Sequence, residues 1–326
     1  MGTLQGGINL KYMKIVFFGT ANVALPILEV LKKQHEIVAV VTKPDAEAGR
    51  AQDLQESPVS ALAKDLKLLT FKPEKVKDNQ QFIEDLKKLG ADVFVVVAYG
   101  KILPSEVINL PQYKTVNVHF SALPKYRGPS PIQAALLNGD EHTGTSIFVL
   151  DENVDAGPLL AQEIVGIDPS DNYFTLSDKL AKKSAAMIIP TLEGYVSGKI
   201  TPLPQDEAKA SFTKIITKAE GKIDWQKSAS EIYNQFRAFF IWPGIWTIWN
   251  GKIVKITDCL PDPDLRMGQS GSTDNYGCGT VLAGGVVACG SNTFLQIKQL
   301  QLEGKLEVAI ADFLNGYRDF VGSKLE

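Results

Sequence analysis

Asn117 and His119 lie two residues apart in Thr115-Val116-Asn117-Val118-His119, a run of β-forming residues. Side chains of a strand alternate between faces, so the amide and the imidazole share one face. They stand at the strand's carboxyl end, where open α/β sheets place a ligand crevice. An amide can donate to an oxyanion as it develops on a carbonyl. An imidazole changes protonation state near neutral pH and can move a proton. The pair therefore suits attack of a nucleophile on a carbonyl carbon. A loop follows, Ser121-Ala122-Leu123-Pro124, then Tyr126-Arg127-Gly128, and Asp155 comes later in Asp151-Glu152-Asn153-Val154-Asp155-Ala156-Gly157. Taken singly, an Asn-x-His pair reads as a turn residue beside a hydrogen-bonded core histidine, and an Asp before Ala-Gly reads as a turn former.

Strand and helix patterns alternate before this stretch. Residues 13–18 read as a buried strand, Gly19-Thr20 as a turn, and 22–33 as a helix with Pro26 near its first turn. Residues 36–42 form a second strand, 43–56 a polar loop, 58–66 a helix, 69–71 a short strand and 79–89 a helix. The run at 92–98 is almost wholly apolar, as in a strand covered on both faces. This alternation predicts a parallel, doubly wound α/β sheet. Gly19-Thr20-Ala21-Asn22-Val23-Ala24 lacks the second and third glycines that let backbone approach a pyrophosphate, so NAD is not expected.

The chain has 326 residues, enough for two domains, with ordinary hydrophobic (44%) and charged (22%) content. A net charge of −3 gives no global basic field, so any nucleic acid would need a local patch. Cys259, Cys278 and Cys289 are an odd set without paired spacing, which fits a reducing cytoplasm. They form no metal pattern with His35, His119 and His142, and no metal is expected. Residues 1–12 read as a disordered leader before Met13. No run reaches the roughly 20 apolar residues of a membrane span.

After Gly139 the pattern changes. Residues 145–150 and 159–165 read as strands flanking the Asp155 turn, and 172–197 as a long helix with apolar residues at helical spacing. The expected organisation is a first domain over 13–198, a linker over 199–212 and a second domain over 213–326. In the second domain a helix over 228–238 is capped by Ser228 with Glu231. Short strands follow at 246–249, 252–257, 279–282, 286–289 and 294–302, the pattern of a small β-barrel.

The pattern Asn-x-His-x-Ser-x-Leu-Pro, formed here by Asn117, His119, Ser121, Leu123 and Pro124, is followed by an Asp-x-Gly at Asp155 and Gly157. This set resembles the formyltransferases that use 10-formyltetrahydrofolate, and the likeness extends over about residues 13–320. The resemblance implies a Rossmann-like domain with a mostly parallel sheet, joined to a C-terminal OB-like barrel. It implies that Asn117, His119 and Asp155 are catalytic: Asn117 on the oxyanion, His119 on the amine proton or the oxyanion, and Asp155 setting the charge of His119 and helping to relay the proton. It implies folate held by loop backbone at Ser121, Ala122, Leu123 and Pro124 and at Lys101, Ile102 and Leu103. Both loops also read as plain strand ends.

Family members that formylate charged initiator tRNA carry a basic loop after the second strand. Here it reads Gly49-Arg50-Ala51-Gln52-Asp53, so Arg50 keeps a cation while Gln52 and Asp53 replace lysines. The segments Lys218 to Trp225, Arg237, Trp242-Pro243-Gly244 and 300–305 are similar to the tRNA-contacting barrel of those members. The resemblance thus implies a monomeric enzyme acting on initiator tRNA. An amino-sugar nucleotide as acceptor is the alternative, and a non-catalytic folate- or RNA-binding protein a second.

Overall fold

The run Ile15-Val16-Phe17-Phe18 is wholly buried and sits at the heart of a seven-stranded sheet. The structure is a computed structural model that describes residues 12–48, 53–262 and 276–326. The leader at 1–11, the loop positions 49–52 and most of a turn-rich stretch after Asp262 therefore lie outside the described residues. The chain divides into two compact units. One comprises Met1–Pro131, His142–Gly166 and Leu176–Lys214; the other comprises Ile132–Glu141, Ile167–Thr175 and Ile215–Glu326.

In chain order the elements begin with β1 (Lys14–Gly19), α1 (Leu25–Gln34), β2 (Glu36–Val41), β3 (Ala46–Ala48) and β4 (Asp53–Gln55). Next come α2 (Pro58–Asp65), β5 (Thr70–Phe71), α3 (Gln80–Lys88), β6 (Val93–Val97), α4 (Ser105–Ile108) and β7 (Thr115–His119). Then follow α5 (Pro131–Leu137), β8 (His142–Val149), β9 (Leu159–Gly166) and α6 (Tyr173–Val196). The sheet order is β5-β2-β1-β6-β7-β8-β9. The first five strands pair in parallel, and β8 and β9 add antiparallel. The order reverses direction between β1 and β6, and that reversal opens a crevice at the strands' carboxyl ends.

Burial explains these assignments. All five residues of β6 are buried, as the apolar run predicted. On one face Val16, Phe18, Val41, Phe94 and Val96 belong to one cluster with Phe82, Ile83 and Leu86 of α3 and Val107 and Ile108 of α4. Each fully buried side chain of this size contributes about 1.5–3 kcal/mol. Helix starts are fixed by side chains: Ser57 accepts from the Ser60 amide (3.1 Å) at α2, and Asn79 from the Phe82 amide (3.2 Å) at α3. The expected helix at 22–33 begins as a tighter 3-10 turn, Asn22–Ala24, and becomes α-helical at Leu25. Pro26 is accommodated in the first turn, where its missing N–H costs nothing. The polar loop expected at 43–56 contains a short hairpin, with Ala46 opposite Gln55 and Ala48 opposite Asp53. Three-residue strands held by backbone pairing leave no hydrophobic alternation to detect.

His35 ends α1 and is 1% exposed. The Met13 amide donates to its Nδ1 (3.4 Å), while Nε2 has no partner among the described residues. Burial lowers its pKa from the ordinary 6.5, and the charge of Glu193 opposes the shift in part. Above 6.5 both folded and unfolded chains carry this ring neutral. As pH falls through 6.5 the unfolded chain takes the proton first, so stability is lost downward until the folded pKa is reached. Urea unfolding between pH 8 and 5 will show this loss in the native protein and less of it in His35→Gln. Parallel pH curves for the two would remove His35 as the cause.

The second unit carries α7 (Ala229–Ala238), β10 (Ile245–Trp249), β11 (Lys252–Asp262), β12 (Val286–Cys289), β13 (Thr293–Leu302), β14 (Glu307–Ala309) and α8 (Ile310–Gly316). The capping box at α7 forms as predicted: Ser228 Oγ accepts from the Glu231 amide (3.3 Å), and the Ser228 amide donates to Glu231 (2.9 Å). The sheet is antiparallel, in order β10-β11-β13-β12 with β14 on β13. The strand expected at 279–282 is reduced to isolated bridges, Thr280 with Lys324 and Val281 with Val287. Trp249, Phe313, Tyr317 and Phe320 form an aromatic cluster that anchors α8, with Phe313 stacked on Tyr317 and the other ring pairs edge-to-face. Arg237, grouped by resemblance with tRNA-contacting residues, is 7% exposed and donates to the Asp171 carbonyl (3.0 Å) and Asn234 Oδ1 (2.6 Å).

Candidate active site

Parallel register brings three strand ends level. Gly19 of β1 lies opposite Val97 of β6, and Val97 opposite Val118 of β7. Gly19 is required there, because a Cβ would come 2.7 Å from the Phe17 ring and 3.2 Å from the Val97 carbonyl. Asn117 and His119 emerge at this edge on one face of β7. The Asn117 carboxamide is half-buried and takes no partner among the described residues.

His119 is 6% exposed and is held at both nitrogens. Nε2–H donates to the Tyr126 carbonyl (2.9 Å), and Nδ1 lies 3.5 Å from Asp155 Oδ2. A carbonyl only accepts, so Nε2 keeps its proton and Nδ1 is the position that exchanges one. Tyr126 and Asp155, the residues offering oxygen to this ring, both adopt left-handed backbone, with φ of 62° and 50°. Such conformations cost roughly 1–3 kcal/mol each and persist only where the surroundings over-determine them. Here the Asp155 carboxylate accepts from the Gly128 amide (2.7 Å), tying the turn to the loop that presents Tyr126. Gly157 lies two residues beyond, where any Cβ would overlap the Val149 carbonyl. The Asp-x-Gly spacing thus has a steric reason: the turn must close against β8.

The loop from Ser121 to Ser130 is a nearly closed hydrogen-bond set. Ser146 Oγ donates to the Ser121 carbonyl (2.7 Å) and accepts from the Leu123 amide (3.1 Å). Gln162 donates to the Leu123 carbonyl (2.8 Å), and Ser121 Oγ to the Lys125 carbonyl (2.6 Å). Ser211 takes both sides of the chain: its amide donates to the Pro124 carbonyl (3.2 Å), and its carbonyl accepts from the Arg127 amide (2.8 Å). The Thr213 amide and hydroxyl donate to the Arg127 carbonyl (2.7 and 3.1 Å). The segment expected as a linker, 199–212, is therefore bonded to the candidate site from Gln205 onward, as is Thr213 just beyond it.

Arg127 is the centre of that attachment. Its guanidinium is 2% exposed and donates to Glu207 at 2.8 and 2.6 Å and to Gln205 Oε1 at 3.2 and 2.9 Å. The hydrogen-bonded Glu207 holds the proton on Arg127 more tightly than usual; burial opposes this, and Asp155 and Asp151 add to it. Sequence reading missed Arg127, Gln205 and Glu207 as site residues. The only signal was the Tyr126-Arg127-Gly128 tripeptide; nothing local marks the two partners about 80 residues away.

Of the other expected site residues, Ser121 and Leu123 are buried, and the polar groups of their loop are largely committed within the protein. Lys101 donates to the Pro73 (2.8 Å) and Glu74 (2.7 Å) carbonyls, Leu103 is buried, and Ile102 is 85% exposed at the tip. Arg50 lies outside the described residues. Among the described residues, no group of three or more His, Cys, Asp or Glu is placed to hold a metal ion.

Residues 13–192 match the family described as formyl transferase, and 215–318 match its C-terminal domain. The chain belongs to the formyl transferase family. Among its curated formyl transferase relatives, a methionyl-tRNA formyltransferase of Caldicellulosiruptor saccharolyticus is 42% identical, covering 94% of this chain and 97% of that one. Another so named, from a Sulfurihydrogenibium species, is 40% identical over 96% of this chain and 100% of that one. Solved structures share the formyl transferase fold. The sugar 3N-formyl transferase WlaRD aligns at TM-score 0.63 and 21% identity, covering 90% of this chain and 99% of that one. HypX from Aquifex aeolicus, in complex with tetrahydrofolic acid, aligns at 0.62 and 18%, covering 95% of this chain and 48% of that one.

Proposed function

We propose that this protein transfers the formyl group of 10-formyltetrahydrofolate to the amino group of methionyl initiator tRNA, as a cytoplasmic monomer. The observation that carries this reading is similarity over almost the whole chain, at 42% identity, to a protein named for that reaction. The geometry of Asn117, His119 and Asp155 supports the chemistry. The acceptor nitrogen adds to the formyl carbon, and the carbonyl oxygen becomes an oxyanion within reach of the free Asn117 amide. The bond from carbon to N10 then breaks. One proton leaves the amine and one arrives at N10, with His119 Nδ1 as the exchanging position and Asp155 facing it. No helix among the described residues is long and apolar enough to cross a membrane.

The folate would lie over the crevice between β1 and β6. Ile102 at its loop tip offers an apolar side chain to a flat ring, and the Ser121 to Pro124 loop forms a wall whose shape is fixed by Ser146 and Gln162. Purified protein given the formyl donor should formylate charged initiator tRNA and leave an amino-sugar nucleotide untouched. Formylation of the sugar nucleotide alone would move the acceptor assignment to that class, and release of formate with neither would make the protein a hydrolase.

Arg50 is proposed to meet acceptor phosphates. Initial rates with tRNA should fall with added salt as counterions are released, and Asp53→Lys should steepen the slope by roughly one phosphate's worth. Arg50→Ala should flatten it. Identical salt curves for all three proteins would remove this loop from acceptor binding.

A further inference from the structure

We infer that Gln205 is a positioning residue of the formyl-transfer site and acts through Asp155. This rests on the function proposed above. The Gln205 amide nitrogen donates to two carbonyls of the catalytic turn, Asp155 (2.9 Å) and Gly157 (2.7 Å). Its two hydrogens are thereby used. The amide oxygen faces the other way and accepts from Arg127 Nε and Nη2. The orientation of this amide follows from its partners: two carbonyls need a donor, and a guanidinium needs an acceptor.

Gln205 therefore ties the turn carrying Asp155 to the loop carrying Tyr126. Those two residues supply the oxygens facing His119, and both are in left-handed backbone. Without the Gln205 clamp, the Asp155 backbone loses a restraint that holds its carboxylate toward Nδ1. No other common side chain reproduces the link. Glutamate would set oxygen against the two carbonyls, asparagine is one methylene short, and methionine keeps the length but neither polar end.

The test compares Gln205→Met and Gln205→Glu with the wild type and with Asp155→Asn. In both Gln205 variants kcat should fall by roughly 10²-fold, the loss expected for a catalytic group displaced by about 1 Å, while KM for donor and acceptor changes far less. In the Asp155→Asn background the same Gln205 change should cost little more, because a residue acting through Asp155 has nothing left to position. Equal losses in both backgrounds, or a loss confined to KM, would overturn the inference. Hydrogen exchange gives a readout free of activity. The Gly128 amide, which donates to Asp155, should lose protection by at least about tenfold in Gln205→Met. Unchanged Gly128 exchange would reject the positioning role even in a protein that formylates nothing. An active wild type with unaffected Gln205 variants would reject it and leave the proposed function standing.

Discussion

Replacing His119 by alanine will lower kcat by roughly 10²–10⁴, the usual loss for a positioned acid-base group. In the proposed mechanism the ring exchanges its proton at Nδ1, because Nε2 is engaged by the Tyr126 carbonyl at 2.9 Å, and no other imidazole is placed at this edge to substitute. His142 is exposed at the start of β8, and His35 is buried at the end of α1. Asn117→Ala removes the proposed oxyanion donor and should cost roughly 10²–10³. Asp155→Ala should fall in a similar range, since it removes the partner of Nδ1 and the acceptor for Gly128. In the proposed mechanism the three act on one transition state, so the triple variant should lose far less than the product of the single losses. Steady-state rates with charged initiator tRNA, beside thermal unfolding of each variant, decide the matter. A variant with near wild-type kcat excludes its residue from the mechanism, and strictly multiplying losses would show that the three do not work as a unit.

Gly157→Ala should damage both stability and turnover. The new methyl would overlap the Val149 carbonyl and crowd the Phe148 ring, so the turn must pull away from β8. The clash is with backbone, which cannot swing aside as a flexible side chain could. Relief requires breaking the pairing of the Val149 amide with the Pro158 carbonyl (3.0 Å), and Asp155 moves with the turn. The expected cost is roughly 2–4 kcal/mol of stability, at the upper end for a point substitution, with a loss of about 10² in kcat from misplacement. Gly166→Ala is the internal comparison: it lies on β9, nothing stands within 4 Å of its added Cβ, and it should be close to neutral. Calorimetric melting and initial rates measure both quantities. Equal behaviour of the two alanine variants would show that the turn can open without consequence.

The sequence was most readable where a single local pattern carried the structure. The apolar run of β6, the cap at Ser228 and the Asn117/His119 face of β7 each follow from spacing within a few residues. The approach of His119 and Asp155 needed the resemblance, since 35 intervening residues, with α5 and β8 among them, separate the two. Arg127 was visible only as part of a tripeptide. Its partners Gln205 and Glu207 fall in a Pro-containing stretch that reads as a connector, because a connector and a strap of this kind have the same composition. The β3–β4 hairpin was missed because its strands are too short to alternate. Helix α8 was missed because the aromatics that anchor it find their partner, Trp249, more than 60 residues upstream, and β14 because three residues are too few to alternate.

The hydrogen bonds between residues 124–130 and 205–213 also set an order in time. Tyr126 waits for Ser211, and Arg127 for Glu207 and Thr213, partners made some 80 residues later on the ribosome. A nascent chain that has produced β7 and the Asp155 turn thus holds all three proposed catalytic side chains before it can lock the loop that orients them. Activity should emerge late in synthesis, after the strap has left the exit tunnel. A chain cut at residue 198 would carry every expected catalytic residue and still lack the fastening that holds Tyr126 and Asp155 on either side of His119.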